Sequence, residues 1–169
     1  TKEEIMEVYQ LVSILGMHTC TMGVPVLLDE MRKAGKGGEL AVPLTAKQLK
    51  LKEEFTENRG YWSELWDGLL MICPEFFEAY LRFCSIPWSP GFLEPKVKEF
   101  MYIAIDAATT HLYEPGLRIH IQNALKLGAT KEEIMEVFQL TSVLGMHTCT
   151  VGVPILIEES NNLEKQGNS

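Results

Sequence analysis

The 169-residue chain has no C-x-x-C pair. Its four cysteines, Cys20, Cys73, Cys84 and Cys149, are spaced neither as a zinc knuckle nor as a vicinal dithiol. A chain this long buries enough core without cross-links, so free buried thiols in a reducing compartment are expected. There is no excess of basic charge: 15 Lys and Arg, scattered, face 23 Asp and Glu, for a net charge of −8. Nucleic acid is therefore excluded as the main ligand, because phosphate binding needs a concentrated cationic surface. No unbroken apolar run approaches the roughly 18–20 residues that span a bilayer, so no membrane segment is expected. The opening Thr1-Lys2-Glu3-Glu4 lacks the basic-then-apolar order of a signal peptide, and cytoplasm is the expected location. The remainder, 46% hydrophobic and 22% charged, has ordinary globular composition and excludes extensive disorder.

What the chain does have is an internal repeat. Thr1–Glu30 reads TKEEIMEVYQLVSILGMHTCTMGVPVLLDE, and Thr130–Glu159 reads TKEEIMEVFQLTSVLGMHTCTVGVPILIEE, at a constant offset of 129 residues. Such segments should fold alike. Each opens with a capping-box spacing, Thr1 with Glu4 and Thr130 with Glu133. An apolar rhythm of helical period follows, then a glycine (Gly145 in the second copy) able to break or kink the helix. A second apolar stretch contains Pro154, so each copy is expected to form two helices. The helical stretches of residues 93–129 precede the second copy and have no counterpart before the first. This predicts a duplicated domain whose first copy lacks its front half.

The expected organisation is residues 1–33 as the latter half of a first repeat and residues 34–44 as a glycine-rich linker. Residues 45–92 form a helical connection, residues 93–160 a complete second repeat, and residues 161–169 a frayed tail. Within the connection, Thr45 with Gln48 caps a charged helix. Tyr61, Trp62, Trp66, Phe76, Phe77, Tyr80 and Phe83 form an aromatic run best read as packing. Prolines 87, 90 and 95 mark a loop. Residues 96–110 read as a helix whose apolar face is Val97, Phe100, Met101, Ile103, Ala104, Ala107 and Ala108. Everything reads as helix, which makes the chain all-α.

Reactive side chains are densest in His111-Leu-Tyr-Glu114-Pro-Gly116-Leu-Arg118-Ile-His120. Pro115 suits the first turn of a helix, and Glu114 suits its positive N-terminus. Arg118 lies four residues after Glu114, and His120 four after Gly116, whose missing side chain would leave room beside the imidazole. A carboxylate, a guanidinium and an imidazole converging on a small anion is the functional reading. Spacing alone favours the structural one, with Glu114 capping, Arg118 paired to it and His120 satisfied in the core. A metal site from His111, Glu114, His120 and His147 is not expected, because a helix starting at Pro115 separates the first two.

Leu93-Glu-Pro-Lys96 with Lys98-Glu99, Glu114-Pro-x-Leu-Arg118-x-His120, Asn123-Ala-Leu and Gly128-Ala-Thr-Lys-Glu-Glu-Ile134 together resemble the carboxymuconolactone decarboxylase family, which includes the alkylhydroperoxidase D proteins. The resemblance implies an all-helical alkylhydroperoxidase D-like bundle, assembled as a homotrimer or hexamer with sites near subunit contacts. Peroxidase relatives carry C-x-x-C-x-x-x-H, and their two cysteines fall here on Tyr113 and Gly116. A dithiol mechanism needs both thiols, so that route is disfavoured. The relay glutamate of those relatives falls near Met101, and Glu99 is expected to face elsewhere. The decarboxylase branch is the better match.

The expectation is therefore an acid–base lyase acting on a small carboxylate or lactone and needing no cofactor or metal. Glu114 and His120 would be catalytic. Arg118, Gly116 and His147 would bind substrate, His147 being the residue the repeat could bring towards His120. The rivals are a peroxide-reducing antioxidant using Cys149 or another non-C-x-x-C thiol, and a non-catalytic helical oligomer. The pair Cys149 and His147 recurs as Cys20 and His18, but two residues apart on a helix they point to different sides.

Overall fold

Three threonines start helices in the same way. Thr1, Thr45 and Thr130 each accept a hydrogen bond from the backbone N–H three residues on, and the side chain of Glu4, Gln48 or Glu133 reaches back to the cap. Each box satisfies two N–H groups the helix leaves open and contributes about 1 kcal/mol. The computed structural model describes residues 1–36, 42–89 and 91–167. Residues 37–41 of the expected linker and Pro90 of the expected loop lie outside the described residues.

The described residues form helices, turns and loops, with no strand. The helices are α1 (Lys2–Ser13), α2 (His18–Lys33), α3 (Ala46–Arg59), α4 (Asp67–Ile72), α5 (Pro74–Ser85), α6 (Pro95–Ala107), α7 (Glu114–Lys126), α8 (Lys131–Ser142) and α9 (His147–Gly167). The two repeat copies adopt the same structure: α1 and α2 are joined by a 3-10 turn, Ile14–Met17, and α8 and α9 by its twin, Val143–Met146. Gly145 thus sits in a tightened turn, while Pro25 and Pro154 are accommodated inside α2 and α9. α9 continues past Ser160 to Gly167, where a frayed tail was expected, because no proline or glycine interrupts it earlier in that stretch.

The chain divides into two units, Thr1–Pro95 and Lys96–Ser169. In the first, Phe55 is buried among aromatic rings, with Tyr61, Trp62, Trp66 and Phe77 at centroid distances of 5.5–6.0 Å. Trp66 stacks on Tyr80. Most of the aromatic run is core, as expected, whereas Phe76 and Phe83 are exposed. The Gln48 amide donates to the carbonyls of Leu70 and Met71, tying α3 to the end of α4. α2 crosses α4 at Gly68, where a Cβ would stand 2.8 Å from both Val24 Cγ1 and Leu28 Cδ1. The Glu7 carboxylate, on α1, accepts the backbone N–H groups of Phe92 and Leu93 at 2.6 and 3.0 Å. α3, α4, α5 and the following loop therefore form a platform for the α1–α2 hairpin.

The second unit packs α6, α7 and α8 around Ile103, Ala124, Ala129 and Ile134, flanked by Phe100, Leu117, Ile121, Val137 and Phe138. Lys96 bonds Glu133 at 2.8 Å and holds the start of α8 to α6. The buried face of α6 differs from the expected one: it consists of Lys98, Glu99, Tyr102, Ile103 and Asp106, with Val97, Phe100 and Met101 only half-buried.

Taken through their 3-10 turns, residues 2–33 and 131–165 are continuous helical stretches whose mean hydropathy over 18 residues reaches 1.7 and 1.6. Both are long and apolar enough to cross a bilayer by length and composition only, a test that the core helices of soluble proteins also pass. Isolated Ser, Thr, Gln and His residues break the unbroken runs yet add no charge, so the average stays high. The first stretch is docked on protein through Leu11, Val24 and Leu28.

Candidate functional site

The site is built from facing positions of α6 and α7. On α6, Glu99, Tyr102 and Asp106 follow one another at three- and four-residue steps and are all buried. On α7, Gly116, His120 and Asn123 do the same, the first two of them buried. Steps of three and four keep side chains on one helix face. His120 Nδ1 lies 2.6 Å from Glu99 Oε2, and the Asn123 amide donates to Glu99 Oε1 at 3.5 Å. A carboxylate only accepts, so Nδ1 carries the proton and Nε2 is the nitrogen left for a reactant. The Tyr102 ring lies against the imidazole, 4.6 Å between centroids and tilted by 35°. The side chains of His120 and Glu99 are 10% and 4% exposed. A charge-assisted bond in such a setting fixes the imidazole in position and tautomer.

The turn before α7 delivers these residues. Leu112 adopts a left-handed backbone (φ +49°), which side-chain-bearing residues rarely do. The N–H of Tyr113 then donates to the Asp106 carbonyl at 2.8 Å, fixing the start of α7 against the end of α6. Burial pushes the Asp106 carboxyl up to about 7, far above the usual aspartate range.

Several expected site residues are placed differently. Glu114 and Arg118 bond each other, Nε to Oε1 at 2.9 Å, on a face where they are 69% and 72% exposed. They do not share an enclosed cavity with His120, because a step of two residues from Arg118 to His120 turns roughly halfway round the helix. The carboxylate partner of His120 is Glu99, against the expectation that Glu99 faces elsewhere. The room expected beside Gly116 is filled: a Cβ there would lie within 2.7 Å of two Tyr113 ring atoms and closer still to the Asp106 carboxylate. Gly116 therefore lets α6 and Tyr113 approach α7 and leaves no space for substrate. We expect Gly116→Ala to destabilise the protein by about 1–3 kcal/mol, read as a lower urea midpoint.

His147 heads α9 exposed, and no hydrogen bond joins it to His120 among the described residues. The four candidate metal ligands have separate surroundings: His111 packs on Tyr113, Glu114 pairs with Arg118, His120 pairs with Glu99, and His147 is exposed. All four cysteines are free, with Cys149 exposed and Cys20 half-buried.

Residues 74–146, which span α5 to α8, match the carboxymuconolactone decarboxylase family. This stretch is a carboxymuconolactone decarboxylase family domain. The fold agrees with that family's all-helical, alkylhydroperoxidase D-like bundle. A crystal structure from Burkholderia xenovorans, of a protein named as a candidate gamma-carboxymuconolactone decarboxylase subunit, is 51% identical over 96% of this chain, with a TM-score of 0.89. The chain spans 65% of that longer protein. No curated protein matches. The match places the Glu99–His120 pair inside the family domain. Sequence reasoning missed Glu99, Tyr102 and Asp106, although their spacing of three and four along α6 is a signal the sequence contains.

Proposed function

We propose that this carboxymuconolactone decarboxylase family domain is an acid–base lyase for a small unsaturated carboxylate or lactone, with His120 as the group that moves the proton. The observation that carries this reading is the buried 2.6 Å contact between His120 Nδ1 and Glu99. It leaves Nε2 as the working nitrogen and supplies a carboxylate to balance the imidazolium. In a decarboxylation the bond from carbon to the substrate carboxylate breaks, and CO₂ leaves. Nε2, having taken up a proton from solvent, delivers it to the carbon at which the electron pair comes to rest in the conjugated system, and the neutral imidazole with its proton on Nδ1 remains for the next cycle. Glu99 takes the part first expected of Glu114. Arg118, paired with Glu114 on an exposed face, is given no part in the chemistry.

The test is His120→Ala, assayed with gamma-carboxymuconolactone as the probe and CO₂ release as the readout. Turnover should fall by about 10²–10⁴-fold, with the helical circular dichroism unchanged. Unaltered turnover rejects the reading.

A further inference from the structure

α6 and α7 meet as an antiparallel ladder of three rungs. Glu99 meets Asn123, Tyr102 meets His120, and Asp106 meets Gly116. The last rung is tight, because a Cβ on Gly116 would collide with the Asp106 carboxylate and the Tyr113 ring. On the middle rung the Tyr102 ring lies 4.6 Å from the imidazole, with both residues buried. That is the short end of the ~4.5–7 Å range of aromatic pairs. Glu99 grips His120 by one edge. Its bond to Nδ1 sets the tautomer and anchors that atom. It does not by itself set the plane of the ring. The χ2 torsion of histidine has broad minima, and a carboxylate oxygen accepts over a wide range of directions. An imidazole anchored at Nδ1 is therefore free to rock, and rocking swings Nε2 on the other side of the ring. A flat surface laid against the ring face removes that movement. Tyr102 lies three residues after Glu99 on the same face of α6, so one turn of helix presents the edge contact and the face contact together.

We infer, resting on the reading of His120 as the group that moves the proton, that Tyr102 is a positioning residue: its ring holds the imidazole plane and so aims Nε2 at the reacting carbon, while Glu99 holds the tautomer. The aim matters because the proton donor must come within bonding reach of that carbon, and a misplacement of about 1 Å costs about 10²-fold in rate. The part belongs to the ring of Tyr102 rather than to its hydroxyl, since it is the ring that lies against His120. Phenylalanine presents the same flat face. Leucine fills much of the space with a rounded side chain, which leaves the imidazole free to rock. Rocking disturbs the transfer of the proton more than the binding of the substrate, so the loss falls on kcat and leaves KM nearly unchanged.

The test reads the ring and the rate separately, on the full chain. With labelled histidine, side-chain NMR follows the His120 ring, whose signal is identified by its loss in His120→Ala. Long-range nitrogen shifts report the tautomer, and carbon relaxation at Cε1 reports the rocking. The wild-type ring should be rigid, with its proton on Nδ1. Tyr102→Leu should keep the proton on Nδ1 and lose the rigidity, and Tyr102→Phe should keep both. With gamma-carboxymuconolactone as the probe, Tyr102→Leu should lower kcat by about 10–10²-fold with KM changed by less than about threefold. Tyr102→Phe should stay within about threefold of the wild type. In a His120→Ala background, Tyr102→Leu should cost less than about twofold, because no imidazole is left to aim. If Tyr102→Leu lowers the helical circular dichroism, the unbranched Tyr102→Met replaces it. Three results overturn the proposal. One is a ring as rigid beside leucine or methionine as beside tyrosine. Another is Tyr102→Phe as damaging as Tyr102→Leu, which would assign the part to the hydroxyl. The third is an equal cost of Tyr102→Leu with and without His120, which would make Tyr102 a general packing residue. The ring measurement needs no substrate. A protein inert towards the lactone, yet with a His120 ring held rigid only by an aromatic at position 102, would reject the lyase reading and support Tyr102 as the residue that holds the ring.

Discussion

Glu99→Gln should slow turnover by about 10²–10⁴-fold while leaving the helix content and the urea midpoint nearly unchanged. Glutamine has the same shape, so the packing beside Tyr102 and Asn123 survives; what disappears is the negative charge 2.6 Å from His120 Nδ1. Without it the amide can present N–H instead of oxygen to Nδ1, which permits the wrong tautomer and leaves the imidazolium unbalanced in a buried site. The measurement is kcat and kcat/KM for the lactone probe across pH, alongside circular dichroism. A positioning carboxylate requires the loss to appear in kcat as well as kcat/KM, and Glu99→Asp should recover part of it. Glu114→Gln is the control. Its carboxylate is 69% exposed and bonded to Arg118, so rate and stability should both move by little. If Glu114→Gln were the damaging substitution and Glu99→Gln harmless, the chemistry would belong on the outer face of α7.

The contrast between Glu99 and Glu114 shows what a sequence reader can see. Helix identity was legible throughout: the three capping boxes, Pro74 at the start of α5, and the twin hairpins all report local physics that lies within a few residues along the chain. The pairing of Glu114 with Arg118 was legible for the same reason, being a local step of four. Glu99 lies 21 residues from His120, and whether they meet depends on how α6 rolls against α7. Hydropathy gave that roll the wrong value, because the buried face of α6 is the one carrying Lys98, Glu99 and Asp106. A face that buries ionisable groups is what an average over apolar residues is built to reject. Gly116 was misread through a related step. An absent side chain signals a close approach, but only the structure shows that Tyr113 and Asp106 have already made it.

The repeat adds information that neither composition nor periodicity provides. One sequence placed in two surroundings, Ile5 exposed and Ile134 buried, Leu11 buried and Leu140 exposed, separates what a segment is able to pack against from what it packs against here. Hydropathy assigns the same high value to both copies, and burial distinguishes them.

Asp106→Asn should raise stability at pH 8 while changing it little near pH 4. Aspartate ordinarily loses its proton near 3.8, and burial raises this one to about 7. The folded state therefore holds a proton that the unfolded chain has already released, and stability falls as pH rises through the interval between the two values. The contribution is fully present below about pH 4 and lost by about pH 7. Three pKa units of separation correspond to roughly 4 kcal/mol at the alkaline end. Asparagine fits the same space beside Gly116, cannot ionise, and removes that fall. Urea unfolding of both proteins at pH 4, 6 and 8 checks this: the difference between variant and wild type should grow steadily towards pH 8. A constant difference across the range would mean that the carboxyl is already charged when buried, held by partners that offset its desolvation.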